Sequence, residues 1–238
     1  LPICTINIIT KEPLRNSGQL SHTITGFSGG NSFDNNTSLN LSLVTDDHRA
    51  GVYIFGQNRH RSGYDYDGDG FTELPKLKNQ TVGFRSYFKT STYSKLTFEY
   101  HHLQEFRRGG DMLNRPPHEA NIAEQLEHAI DSGSLKFDYF SPNEKHRFSV
   151  FTSAANTDRD SYYGGGQDPN AYGKTTDFTV MGGTQYMYSF GRCLFMPADL
   201  MAGLEYNRDH LEDNMWGYNR HTEQTVNIYS GFLQNEWK

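Results

Sequence analysis

Ser94-Lys95-Leu96-Thr97-Phe98-Glu99-Tyr100-His101-His102-Leu103-Gln104 is the stretch on which the fold turns. Leu96, Phe98, Tyr100 and His102 stand at alternate positions, with Lys95, Thr97, Glu99 and His101 between them. Successive strand residues point to opposite faces, so this stretch makes a strand with one apolar and one polar face. The same period returns on both sides. Leu39, Leu41 and Leu43 oppose Ser38, Asn40 and Ser42; Val82, Phe84 and Phe88 oppose Thr81, Arg85 and Lys89; Leu200, Ala202, Leu204 and Tyr206 oppose Gly203, Glu205 and Asn207.

Working outward, breaker clusters divide the chain into ten strand-length pieces: 19–28, 37–44, 49–58, 78–89, 94–104, 133–140, 145–155, 177–190, 198–208 and 226–238. Most are close to the ~9–11 residues that a tilted strand needs to cross a bilayer. The connections alternate in length. Short ones fall at 45–48, 90–93, 141–144 and 191–197; long ones at 29–36, 59–77, 105–132, 156–174 and 209–225. Short turns at one end and long loops at the other is the plan of an outer-membrane barrel. Tyr93, Tyr139, Phe140, Tyr188, Tyr206 and Trp237 lie near strand ends, where interfacial girdles sit. The fold class read here is all-β: an antiparallel transmembrane β-barrel fragment of about ten strands.

Composition agrees. Of 238 residues, 35% are hydrophobic, too few for one well-buried core, and mean hydropathy is −0.75. Yet the chain holds 16 Phe, 15 Tyr, 2 Trp and 23 Gly, a richness in aromatics that disfavours disorder. No run of 18 apolar residues is present, which excludes a transmembrane helix. It does not exclude a barrel, whose strands need only alternate residues toward lipid. The net charge is −6 and no basic stripe invites nucleic acid. Cys4 and Cys193 lie far apart and form no metal or redox motif. The chain opens on Leu1 and ends on Lys238 while an alternating pattern still runs, so a fragment is expected.

Ile6-Asn7-Ile8-Ile9-Thr10-Lys11, followed by a polar linker at 12–17, resembles the plug-to-barrel junction of TonB-dependent outer-membrane receptors. There a Gly-Val-Ile-Asn-Ile-Ile-Thr-Lys-like strand precedes the first barrel strand; here Ile3-Cys4-Thr5 replaces the usual lead. The resemblance implies that 1–17 is the last plug strand with its linker and that 18–238 is the N-terminal portion of a larger plugged barrel. It implies active transport of a scarce ligand (a ferric siderophore, haem or cobalamin) across the outer membrane. Energy would come from the TonB complex, acting through a plug and TonB box beyond this chain. Arg85, Lys89, Glu99 and Glu205 would face the plug. Arg107-Arg108-Gly109-Gly110-Asp111 and 162–169 also look like loops of Bacteroidetes-type receptors. An open ten-stranded sheet leaves two unpaired edges in lipid, so transport would belong to the intact parent.

Three loops carry candidate chemistry. Tyr64-Asp65-Tyr66-Asp67-Gly68-Asp69-Gly70-Phe71-Thr72-Glu73 places carboxylates at alternate positions before a glycine, which suits oxygen ligation of a hard cation such as Ca²⁺. An EF-hand opens this way, but Lys76 stands where its bidentate acid belongs. Asp65, Asp67, Asp69 and Glu73 are the candidate ligands, with Asp111 approaching from the next loop. A solvated acidic turn fits the same residues. In 105–132, Arg107 and Arg108 suit an anionic ligand. There Pro116-Pro117 and the spacing of Ile122, Leu126 and Ile130 predict a short amphipathic helix over 119–130. In 156–174, Tyr162, Tyr163, Gln167 and Tyr172 lie among glycines, the composition of an adaptable recognition loop. Packing of loop against loop accounts for them as well.

Enzyme signatures are missing: the sequence has no nucleophile elbow, phosphate-binding glycine loop or His-Glu-x-x-His. His101 and His102 are adjacent in a strand, so their rings point to opposite faces and cannot share a metal. No organic cofactor is expected. The competing class is a soluble or secreted all-β binding module stabilised by Ca²⁺, which keeps the strands and the acidic loop but not the membrane.

Overall fold

A computed structural model describes residues 12–27 and 32–237. The plug-like strand at 6–11, Cys4 and Lys238 lie outside the described residues. Ten strands form one sheet: β1 (Ser17–Gly26), β2 (Phe33–Val44), β3 (Ala50–Arg61), β4 (Lys76–Ser91), β5 (Ser94–Gly110), β6 (Ile122–Phe140), β7 (His146–Gly165), β8 (Tyr172–Cys193), β9 (Met196–Met215) and β10 (Arg220–Trp237). Each pairs antiparallel with its sequence neighbour, so spatial order equals chain order. Such a meander needs only hairpins, and its connections fall in two sets. At one end lie 45–49, 92–93, 141–145 and 194–195; at the other lie 62–75, 111–121, 166–171 and 216–219.

The expected strand count holds, but from β2 onward the strands are longer than the sequence suggested, chiefly toward the long-loop end. β8 has 22 residues, about 75 Å at ~3.4 Å per residue, whereas ~9–11 residues cross a bilayer. The outward apolar alternation is lost in most of these extensions, and in some both faces become polar, as in Asn156-Thr157-Asp158-Arg159-Asp160-Ser161 of β7. The helix expected at 119–130 is not formed. That stretch is the start of β6, preceded only by a 3₁₀ turn at Pro117–Glu119. Ile122, Leu126 and Ile130 are four apart, and four is also two strand periods, so the spacing fits either element.

One face of the sheet is an apolar band. On it the register aligns Leu39 with Gly56 and Val82, Leu41 with Ile54 and Phe84, and Phe98 with Leu135. Leu39, Val82, Phe98, Leu135, Val150, Leu204 and Leu233 are all exposed there. Aromatic rings rim the band. Tyr139, Phe148, Tyr186, Phe195 and Trp237 mark the short-turn side, with Phe195 stacked on Trp237 at 5.9 Å. Tyr100, Tyr206 and Tyr229 mark the other side, the last two with centroids 4.9 Å apart. From Tyr229 to Trp237 along β10 the chain covers about 27 Å at ~3.4 Å per residue, or about 19–22 Å of height at a tilt of ~35–45°, a little under the ~25 Å of a barrel's lipid-facing band.

The opposite face is polar and less exposed. Arg85 pairs with Glu99 at 2.6 Å, and the Tyr53 hydroxyl donates to Asn40. Aromatic rings on this face lie over glycines directly across the ladder: Tyr87 over Gly51, Phe55 over Gly83, Phe151 over Gly183 and Phe232 over Gly203. A Cβ at any of these glycines would run into the ring. The segment before β1 also crosses this face. Glu12 pairs with Lys95 at 2.7 Å, Pro13 is fully buried beside Tyr87, and Asn16 accepts from the Val44 amide. This face is therefore the inner one. His101 lies on it against the Phe55 ring, while His102 lies on the outer face 2.8 Å from Asp131, so the two rings do point apart.

Candidate functional site

The hairpin loop 62–75 is closed by a bridge between Tyr64 and Leu74, each donating its amide to the other's carbonyl at 2.9 and 3.1 Å. Inside it the carboxylates hold the backbone. Asp65 accepts from the amides of Gly68 and Gly70, Glu73 from Tyr66, Asp69 from Phe71 and Asp67 from Asp69. Gly68 and Gly70 have φ of +78° and +92°, a left-handed turn that side chains resist. Asp65, Asp67, Asp69 and Glu73 each bring one oxygen within 4.8 Å of the others. An all-oxygen, four-carboxylate set of this kind fits Ca²⁺ rather than a soft metal.

Asp111 does not join that set. It is buried in the next loop, where its carboxylate accepts from the Ile122 amide at 3.1 Å and the Asn121 side chain at 2.6 Å. Burial pushes its pKa up, but these donors outweigh burial and hold it below the usual 3.8. Loop 111–121 is packed down with loop 166–171. Ala120, Ala123, Tyr162 and Ala171 form a small buried cluster, with Tyr172 against it. The Tyr162 hydroxyl donates to the Asp168 carbonyl, His118 Nδ1 lies 2.7 Å from the Tyr172 hydroxyl, and Gln167 donates to the Glu119 carbonyl. Arg108 is 1% exposed and donates to the carbonyls of Gly109 and Asp111.

The six residues singled out for ligand contact are therefore split. Arg108, Tyr162 and Tyr172 tie the loops together. Tyr163 and Gln167 are exposed at the rim. Arg107 and Tyr163 are on the inward face by register, and Arg107 lies at the level of a polar belt that the sequence did not reveal. The register carries that belt across seven strands: Arg59, Asn79, Glu105, His128, Arg159, Thr175 and Asp213. Asn79 and Arg107 both donate to Glu105. Arg159 donates to Thr175, which donates to Asp213 at 2.6 Å, and Arg220 pairs with Asp213 at 2.7 Å. Arg59 makes a forked pair with Asp34. Each member is isolated in its own strand, so only the pairing register assembles them.

No protein-family profile and no curated protein matches the sequence. Solved structures do match. A structure described as the copper transporter OprC aligns with a TM-score of 0.60 and 13% identity, covering 87% of this chain and 35% of its own. BauA, the ferric preacinetobactin receptor of Acinetobacter baumannii, aligns with a TM-score of 0.58 and 13% identity, over 91% of this chain and 40% of its own. The ferric yersiniabactin uptake receptor FyuA of Yersinia pestis gives 0.50 and 12%, over 92% and 37%. The likeness is one of fold. The chain forms ten adjoining antiparallel strands with the fold of part of a transmembrane β-barrel wall and spans 35–40% of the length of these structures.

Proposed function

We propose that this chain is part of a TonB-dependent outer-membrane receptor that captures a scarce small-molecule ligand and imports it. In this reading 1–17 is the end of the plug with its linker, and 18–238 is the first part of the barrel. The observation that carries it is the division of one sheet into an exposed apolar band and a charged inner wall. A soluble module would need something to cover that band, and among the described residues nothing packs over it.

The ligand is a metal chelate of the siderophore, haem or cobalamin kind. In the belt row and the row above it, five arginines (Arg59, Arg61, Arg107, Arg159, Arg220) stand against Asp34, Glu105 and Asp213, a local positive surplus above the inward pair Asp177 and Asp209 in a chain whose net charge is −6. That surplus favours a chelate carrying negative groups over a bare metal cation. Ca²⁺ bound by Asp65, Asp67, Asp69 and Glu73 would order loop 62–75 at the mouth of the site.

An antibody to this segment tests the reading on membrane fractions of the source. The expected result is an outer-membrane band far heavier than 27.2 kDa that migrates differently when unboiled, as closed barrels do. A soluble band at 27.2 kDa overturns the reading.

A further inference from the structure

Residues 12–16, just ahead of β1, lie across the inner face at the short-turn end, and they are held there on four different strands. The Glu12 carboxylate pairs with the Lys95 ammonium of β5 at 2.7 Å, and both groups are mostly shielded from solvent. Pro13 is fully buried between β3 and β4. A Cβ at Gly51 would stand 3.0 Å from the Pro13 ring and 2.5 Å from the Tyr87 ring, so the glycine is what admits both. The Asn16 side chain accepts from the Val44 amide of β2 at 2.6 Å, just past Ser17 and Ser42, where the β1–β2 ladder stops.

These holds make a strap. From β5 to β2 is three strand spacings of ~4.8 Å, about 14 Å. From Glu12 to Asn16 is four steps along the chain, at most about 14 Å when extended at ~3.3–3.6 Å each. The strap therefore crosses the wall with little slack. Its sequence suits that course. Proline fixes its own φ and drives the residue before it to extended backbone, which straightens Glu12 and Pro13. Proline also has no N–H, so burying it orphans no amide donor.

Strand β1 is held far less well. All ten of its residues are exposed, and among the described residues it pairs with β2 alone. The bonds of an antiparallel ladder lie perpendicular to the strands. A pull directed across the sheet from the start of β1 would open that ladder one bond at a time. The strap meets such a pull first, and passes it to β5, β4, β3 and β2.

We propose that residues 12–16 are a mechanical stop: they belong to the wall, and force on the chain ahead of Glu12 ends at this strap without reaching β1. The proposal rests on the receptor reading above, in which a plug ahead of Glu12 must give way while the barrel stays closed. The fixed point of that movement then lies at Glu12, five residues before the first barrel strand.

The test pulls the intact parent protein, folded in a bilayer, by its N-terminal end and records force against released length. Heat-modifiable migration serves as the check on folding. In the unaltered protein the last arrest before the wall opens is expected at Glu12. In a Glu12→Gln/Pro13→Ser/Asn16→Ala variant it should move to Ser17, about 17 Å further at ~3.4 Å per residue. A Leu14→Ala/Arg15→Gln variant, altered only at the exposed residues of the strap, should keep the arrest at Glu12. An unaltered protein that is arrested only at Ser17 or within β1 overturns the proposal. An arrest at Glu12 that the triple variant does not move, or that the Leu14/Arg15 variant does move, overturns it as well, since the holds are then not its cause. The position in the unaltered protein decides by itself if the triple variant does not fold. A protein that is not heat-modifiable and not in the outer membrane fails the receptor reading itself, before the strap is loaded.

Discussion

Loops 62–75 and 111–121 are neighbours on the same rim and are held in opposite ways. The first is tied by its own carboxylates accepting its own amides, and most of those acids stay in solvent. The second is tied by burial: Arg108, Tyr162, Ala120 and Ala123 are almost without exposure. A loop whose acids crowd together gains most from a cation, because like charges within 4.8 Å repel until one arrives. A loop with a packed base needs no ligand to be ordered. The first is built to respond, the second to support.

The largest effect should come from breaking the packed loop. Tyr162→Ala removes a fully buried ring and the donor to Asp168, a loss of about 3–5 kcal/mol of local stability. Limited proteolysis should then cut within 111–121 and 166–171 and leave 62–75 as before. Cutting in all three loops alike would show that they open together and end the contrast.

Calcium should do the reverse. At a hundredfold excess over its Kd it adds about 2.7 kcal/mol to a state that binds it. It should protect 62–75 from protease without changing 111–121, and Asp65→Asn should abolish the protection. Calorimetry on the unaltered protein that shows no calcium heat would remove the metal from the proposal.

Asp111 gives a smaller, pH-dependent effect. Asp111→Ala leaves the Ile122 amide and the Asn121 side chain without their acceptor, a cost of about 1–3 kcal/mol. Its carboxyl is held below 3.8 in the folded loop. The hold is thus complete above that value and fades as pH falls through the lower folded value. Hydrogen-exchange protection at Ile122, with rates corrected for the intrinsic pH dependence of amide exchange, should fall only below about pH 4 and stay constant from neutral upward. Loss of protection near pH 6 would point to a histidine instead.

The smallest effect is Gly68→Ala. The site has open space but φ of +78°, so about 1 kcal/mol is expected. Calcium affinity should fall by several-fold while 111–121 is unaffected.

The barrel reading was legible because lipid-facing residues must alternate. Leu39, Leu41 and Leu43, or Leu96, Phe98 and Tyr100, betray the strand and its outer face together. Strand ends were not legible, because beyond Phe178 on β8 or Asn156 on β7 the alternation of apolar and polar residues stops. The acidic hairpin could be read from local spacing alone, and the structure gathers four of its five candidates. Arg107 and Arg108 could not be told apart by type. One step along a strand sends one inward and buries the other under the loops. The inner belt was invisible for a related reason, since Arg59 and Asp213 are 154 positions apart and meet one row only through the ladder.

The four glycines beneath aromatic rings on the inner wall act as a gauge for the bore. With no Cβ in the way, the rings of Phe55, Tyr87, Phe151 and Phe232 lie back against the strand beside them. The wall then stays thin although it is lined with bulky aromatic rings. An alanine at Gly83 would tip Phe55 toward the axis and narrow the passage at that one height, leaving the outer surface and the loops as they are. Clearance along this wall is thus specified by its smallest residue, and a single methyl group is enough to reset it.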